Sequence, residues 1–385
     1  MRFLRKNKIK RSILVISDIH LGAGAIIHNR RNFLEDFHYD SELVEFLKYF
    51  SSGDYSNREI DLIINGDLFD LLAVPFVPFF DDEFWSEKAA LQKLKMITEA
   101  HPEVIEGLVN FISSKKRKIV FILGNHDAEC VFPSLQKYLL SLFPEEDRER
   151  FTIISTSNGE YIPVEGVVLK HGHEYEIAHQ YDPKDSVVVS EAGESYFIPP
   201  WGSYYVTRVI NKFKEEKDHI NSVRPIKKFL INGMIYDTLF TMRFLFANSW
   251  YFIMVRFIDI FKNNRNIIKV IKDALSELEL FHDLESFTQD FFSSRPEVKA
   301  LIVGHTHEPI FRSYADGNIF INTGTWTKMH HLDFGKRSNE DQLTYAHIDI
   351  KDVDKEQEKL GEKEELEISL NEWKGINPLP FCEYS

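Results

Sequence analysis

SILVISDIHLG, residues 12–22, decides the fold class. Its first six residues are mostly apolar and end at a carboxylate, Asp18. Such a run reads as a buried strand, with chemistry beginning where the strand stops. The same pattern recurs along the chain. Residues 60–65 run into Gly66-Asp67-Leu68-Phe69-Asp70, and residues 118–123 into Gly124-Asn125-His126-Asp127. Residues 167–170 run into His171-Gly172-His173, and residues 300–303 into Gly304-His305-Thr306-His307. Residues 319–322 have the texture of a further strand. Helical patterns lie between the earlier runs, at about 41–50, 84–98, 104–114 and 135–142. Strands alternating with helices predict an α/β core with mostly parallel pairing near its start.

Strand carboxyl ends in such a sheet open onto one crevice, so five distant clusters can meet there. Their side chains offer carboxylate and amide oxygen and imidazole nitrogen without thiolate, a donor set for hard-to-borderline divalent metals. On an extended chain, positions i and i+2 share a side, so Asp18 with His20, and His305 with His307, are each expected to reach one ion. Any one cluster alone is a turn or a packed histidine. All five at strand ends are hard to explain that way.

In this order the clusters resemble the calcineurin-like metallophosphoesterase superfamily, over the chain from Asp18 to His307. The resemblance implies a four-layer α/β/β/α sandwich and two metal ions. By it, Asp18, His20, Asp67 and His307 bind the first metal. Asp67 bridges, and Asn125, His171 and His305 complete the second. Manganese is the expected metal, with iron or zinc as alternatives. His126 would not be a ligand but would stabilise developing charge or protonate the leaving group. Asp70 matches the position that orients this histidine, and Asp127 would make supporting contacts. The opening ISDIHLG with GDLFD also resembles bacterial UDP-2,3-diacylglucosamine pyrophosphohydrolases. That family often has Arg where His126 stands, and is much shorter. A phosphoester or pyrophosphate, lipid-linked or nucleotide-linked, is the expected substrate. A nuclease and a non-catalytic scaffold on the same fold are the alternatives.

The remaining histidines carry weaker expectations. His173 touches substrate or supports the site. His28 and His38 meet substrate, and His330 and His331 border the site. His101, His179, His219, His282 and His347 read as surface or packing residues.

Bulk properties set the outer limits. The chain has 385 residues and a net charge of -14, which disfavours nucleic acid as a partner. Cys130 and Cys382 make neither a disulfide framework nor a thiolate metal site, which suits the cytoplasm. No stretch reaches the roughly 18 uninterrupted apolar residues of a membrane span. The core is expected at residues 1–198 and 283–350. Residues 199–282 read as a helical insertion capping the crevice. Residues 351–385 read as a charged tail, either a solvated helix or an arm. From Trp201 to Val270 there are 12 Lys and Arg against 5 Asp and Glu, in a segment dense with aromatics. A basic aromatic insertion suits an acylated anionic substrate, or a peripheral contact at the inner face of the membrane. A self-packed cap and a homodimer contact are the alternatives.

Overall fold

The computed structural model describes residues 9–75, 82–224, 226–262, 284–332, 342–352, 364–375 and 379–380. The apolar runs form the expected strands β1 (Ile9–Ile16), β2 (Glu59–Asn65) and β3 (Arg117–Ile122); the unexpected β4 (Phe151–Ile154) and β5 (Tyr161–Val164) follow, then the expected β6 (Val167–Leu169). After the insertion come β7 (Ala300–Val303), β8 (Pro309–Ser313), β9 (Ile319–Thr323), β10 (Thr344–Asp352), β11 (Glu364–Glu372) and β12 (Leu379–Pro380).

Two sheets result. The larger has the order β12-β11-β10-β1-β2-β3-β4, with β1 to β4 parallel and β10 and β11 added antiparallel. The smaller has the order β8-β9-β7-β6-β5, parallel through β9, β7 and β6. Alternation places Ile13, Val15, Ile63, Val120 and Ile122 of the large sheet against Val167, Leu169, Ala300, Ile302 and Ile321 of the small one.

The outer face of the large sheet is covered by α1 (Asp40–Tyr49), α2 (Glu87–Ala100), α3 (Pro102–Ile112) and α4 (Pro133–Ser141), with Leu43, Phe46, Leu94, Ile97, Leu108 and Leu135 in its core. Their ends follow local rules. The Ser86 hydroxyl accepts from the Ala89 N–H at the start of α2, and Pro102 opens α3. The outer face of the small sheet packs Val168, Leu301 and Phe320 against Phe287, Phe291 and Phe292 of the helix Leu284–Ser294. The molecule is thus an α/β/β/α sandwich.

Residues 199–262 are predominantly helical. A first helix runs Trp201–Tyr205, then through a π-helical turn (Val206–Ile210), to Asn211–Lys214. Helices Ile226–Tyr236 and Thr238–Lys262 follow. They share a core of Val209, Phe213, Ile220, Phe240, Phe244 and Tyr251. Residues 263–282 lie outside the described residues.

One expectation is corrected. Residues 364–372, expected as a solvated helix or arm, form β11, paired along its length with β10. Leu366, Ile368 and Leu370 alternate along it and join the core between the sheets, leaving Glu365 and Glu367 on the other face.

Candidate metal centre

All five clusters sit at carboxyl ends of parallel strands, three from the large sheet (β1, β2, β3) and two from the small one (β6, β7). The sandwich therefore brings them together at one edge of both sheets. Asp18, Asp67, Asn125 and His171 are buried, as is His20. Backbone bonds stitch the loops: Ile19 and His20 N–H both donate to the Asp67 carbonyl at 2.9 Å, and the Trp326 N–H to the Asp18 carbonyl at 3.1 Å.

The extended geometry expected for Asp-x-His is not what the chain adopts. Asp18, His20, Asp67, His305 and His307 all have positive φ, between 52 and 71°. Left-handed backbone is costly for non-glycine residues, and its concentration in these five marks a site held in place by its surroundings. Glycines make the room. A Cβ on Gly66, which also has positive φ, would collide with the His171 ring, and one on Gly124 with the Asp67 carboxylate.

Among the described residues four groups of side chains bring donor atoms within 4.8 Å of one another, including Asp18, His20 and His307, and Asp67, His171 and His305; a third joins His20, Asp67 and His126. His20 Nε2 and His307 Nε2 are 3.1 Å apart, and His307 Nε2 is 3.5 Å from an Asp18 oxygen. Asp67 joins the groups, with one oxygen 3.2 Å from His171 Nε2 and 3.7 Å from His20 Nε2. Its other oxygen accepts the His126 N–H at 2.9 Å. Asn125 Oδ1 lies 3.3 Å from His171 Nε2. The oxygen and nitrogen donors suit divalent cations of the manganese, iron and zinc type.

The electrostatics are dominated by buried carboxylates. Burial works against charge on His20 and His171, but Asp70, Asp67 and Asp18 prevail and hold the two imidazoles up to about 9 and about 10 respectively. Burial also opposes ionisation of Asp70, yet His126 and His20 hold its carboxyl well below the usual range.

His126 Nδ1 lies 2.9 Å from Asp70, whose other oxygen is 3.5 Å from His20 Nδ1. His20, Asp70, His126 and His307 line one wall of a cavity of about 120 Å³. The opposite wall is largely the insertion: Val206, Ile210, Asn211, Lys214 and Asn221. Asp127 ties two of the loops, accepting from the Leu68 N–H at 2.8 Å and the Gly124 N–H at 2.6 Å.

Of the other sequence candidates, His173 packs against the donors, its ring centroid 5.4 Å from that of His171 and 6.5 Å from that of His305. His173 is buried and stacked on Tyr181, with ring centroids 5.0 Å apart. His28 and His38 are exposed. His330 and His331 form a short strand paired with Val223 and Arg224. His101 is buried packing, and His282 lies outside the described residues.

His179 is misread by sequence reasoning. It is no surface residue but lies beside Asn125 and His305, and with Glu176 and His305 it forms another donor group. Burial and the neighbouring His305 push its imidazole down to about 4. Burial opposes charge on Glu176, but the His305 hydrogen bond pulls its carboxyl down to about 2. The available signal was Glu-x-x-His directly after the His-Gly-His cluster.

Similar folds occur among solved structures. A predicted phosphoesterase from Streptococcus pneumoniae is 10% identical, covering 95% of this chain and 91% of its own, with TM-score 0.29. A dimetal phosphatase from Danio rerio is 12% identical, covering 98% and 100%, with TM-score 0.36. A phosphopantetheinyl hydrolase from Mycobacterium tuberculosis is 13% identical, covering 86% and 99%, with TM-score 0.28. No curated protein matches the sequence. Residues 11–309 match the sequence family of calcineurin-like phosphoesterases, spanning all five clusters, and the chain belongs to that family of hydrolases.

Proposed function

We propose that the chain hydrolyses a phosphoester or pyrophosphate at two divalent cations. Asp18, His20, Asp67 and His307 hold the first; Asp67, Asn125, His171 and His305 hold the second, with Asp67 shared. The observation that carries this is the convergence of two donor groups, joined by one carboxylate, at the ends of five parallel strands. Manganese is our first choice of metal. Once bound, the cations supply a water activated for attack and positive charge for the phosphoryl oxygens. The chain supplies the rest. Asp70 accepts the His126 Nδ1–H and fixes the ring, leaving Nε2 for a substrate oxygen in the cavity. Proton donation from there assists departure of the leaving group.

For the substrate we favour a lipid-linked or nucleotide-linked phosphoester, handled at the cytoplasmic face of a membrane. Val206 and Ile210 give the insertion's wall of the cavity an apolar part. The long insertion helix also exposes Leu239, Met242, Phe246, Trp250 and Ile253, a stripe at helical spacing. We assign this stripe to an anionic lipid surface, which the basic excess of the segment complements. Among the described residues no helix is long and apolar enough to cross a membrane.

The enzymatic reading is tested with a chromogenic phosphodiester. Chelation should abolish hydrolysis and added manganese restore it. Full activity after complete metal removal would refute it, and cleavage of DNA in preference to small diesters would favour a nuclease.

A further inference from the structure

Each donor of the second group has two polar atoms, and only one can face a cation. What occupies the other atom sets the orientation. For His171 the answer is backbone: Nδ1 is 2.8 Å from the Asn65 carbonyl and donates to it, which turns Nε2 toward Asp67 and Asn125. For His305 it is Glu176, whose carboxylate lies 2.5 Å from Nε2. A carboxylate accepts, so Nε2 carries the proton and Nδ1 is bare. For Asn125 it is His179: Asn125 Nδ2 is 3.5 Å from His179 Nδ1, directing Oδ1 toward His171 Nε2.

Glu176 and His179 belong to one turn, closed by the His179 N–H donating to the Glu176 carbonyl at 2.8 Å. The insertion begins on top of that turn. The Gly202 N–H donates to the Ala178 carbonyl at 2.8 Å. A Cβ on Gly202 would stand 2.6 Å from both that carbonyl oxygen and His179 Cε1. No side chain fits there without moving backbone or the His179 ring.

We propose that Glu176 and His179 are positioning residues for the second metal, orienting His305 and Asn125, and that Gly202 couples the insertion to them by seating it against their turn. Through this contact the insertion sets the affinity of the second metal position without touching it. This rests on the two-metal reading above.

The test is manganese binding to the full-length protein, by calorimetric titration with metal analysis, on wild type and on Glu176→Ala, Glu176→Gln, His179→Ala and Gly202→Ala. Wild type should bind two ions. The three variants other than Glu176→Gln should weaken one site by about 10–100-fold and leave the other unchanged. The unchanged site also reports that each variant is folded. Glu176→Gln keeps an acceptor for His305 Nε2–H and should stay within a few-fold of wild type. Two intact sites in every variant would overturn the inference while leaving the two-metal reading in place. A Glu176→Gln defect as large as that of Glu176→Ala would make Glu176 a ligand instead and overturn its positioning role. Wild type binding no metal would overturn both.

Discussion

At the residue scale, the proposed roles of His126 and Asp70 separate chemistry from metal holding. His126 is hydrogen-bonded to Asp70, and its backbone N–H serves Asp67. His126→Ala should therefore keep both metals while turnover falls by about 10²–10⁴-fold, the usual value of general acid–base help. Asp70→Asn should lose less, because an amide can still accept from Nδ1. Metal analysis beside kcat checks both, and stoichiometric metal loss in His126→Ala would make His126 a ligand. The five clusters were legible because their residue types are rare in combination. Their backbone was not: alternation along an extended chain pairs Asp18 with His20 as found, but His305 and His307 fall in different donor groups, and all four residues adopt left-handed geometry. His179 was harder to read because its place beside Asn125 and His305 is made across the fold. In sequence it is one histidine among 15.

At the scale of elements, the buried parallel strands were readable as apolar runs, while the half-exposed ones were not. β5 and β8 have no fully buried residue, β10 alternates buried Ala346, Ile348 and Ile350 with His347, Asp349 and Lys351, and β11 hides a Leu366, Ile368, Leu370 alternation in an acidic stretch. The junction of α2 and α3 gives a test of packing with a definite sign. His101 Nδ1 lies 2.7 Å from Asp40 and its Nε2 3.7 Å from Glu35. Burial works against its charge, but the two carboxylates win and hold the imidazole up to about 9. A folded-state value above the unfolded one, about 6.5, stabilises fully below pH 6.5, and that stability is lost as pH rises through 9. The difference in urea midpoint between wild type and His101→Gln should therefore be largest near pH 6 and shrink by pH 9.5. A difference that grows with pH would show that the ring is neutral in the folded protein.

At the scale of the whole molecule, the insertion joins three features: residues lining the candidate cavity, a seat on the Glu176–His179 turn and an exposed apolar stripe. Its helical character and aromatic density were legible in sequence. Its internal pairing was not: Lys217 meets Asp237 and Arg243 meets Glu216 within the segment, and Lys214 meets Asp36 outside it, so only that last pair draws on the basic excess. The stripe and the remaining basic excess carry the lipid assignment together. Wild type should sediment with anionic liposomes and the double variant Phe246→Ser, Trp250→Ser should not, both remaining monomeric in sedimentation velocity. A wild-type dimer that this variant dissolves would assign the stripe to self-association instead.

The shared carboxylate is where the whole account converges, so Asp67→Ala tests it most directly. Metal content and phosphodiester turnover are measured on the same preparation, beside wild type. The account predicts two divalent cations per chain in wild type, and in the variant fewer than two with turnover abolished. Retained turnover with two metals still bound would contradict it.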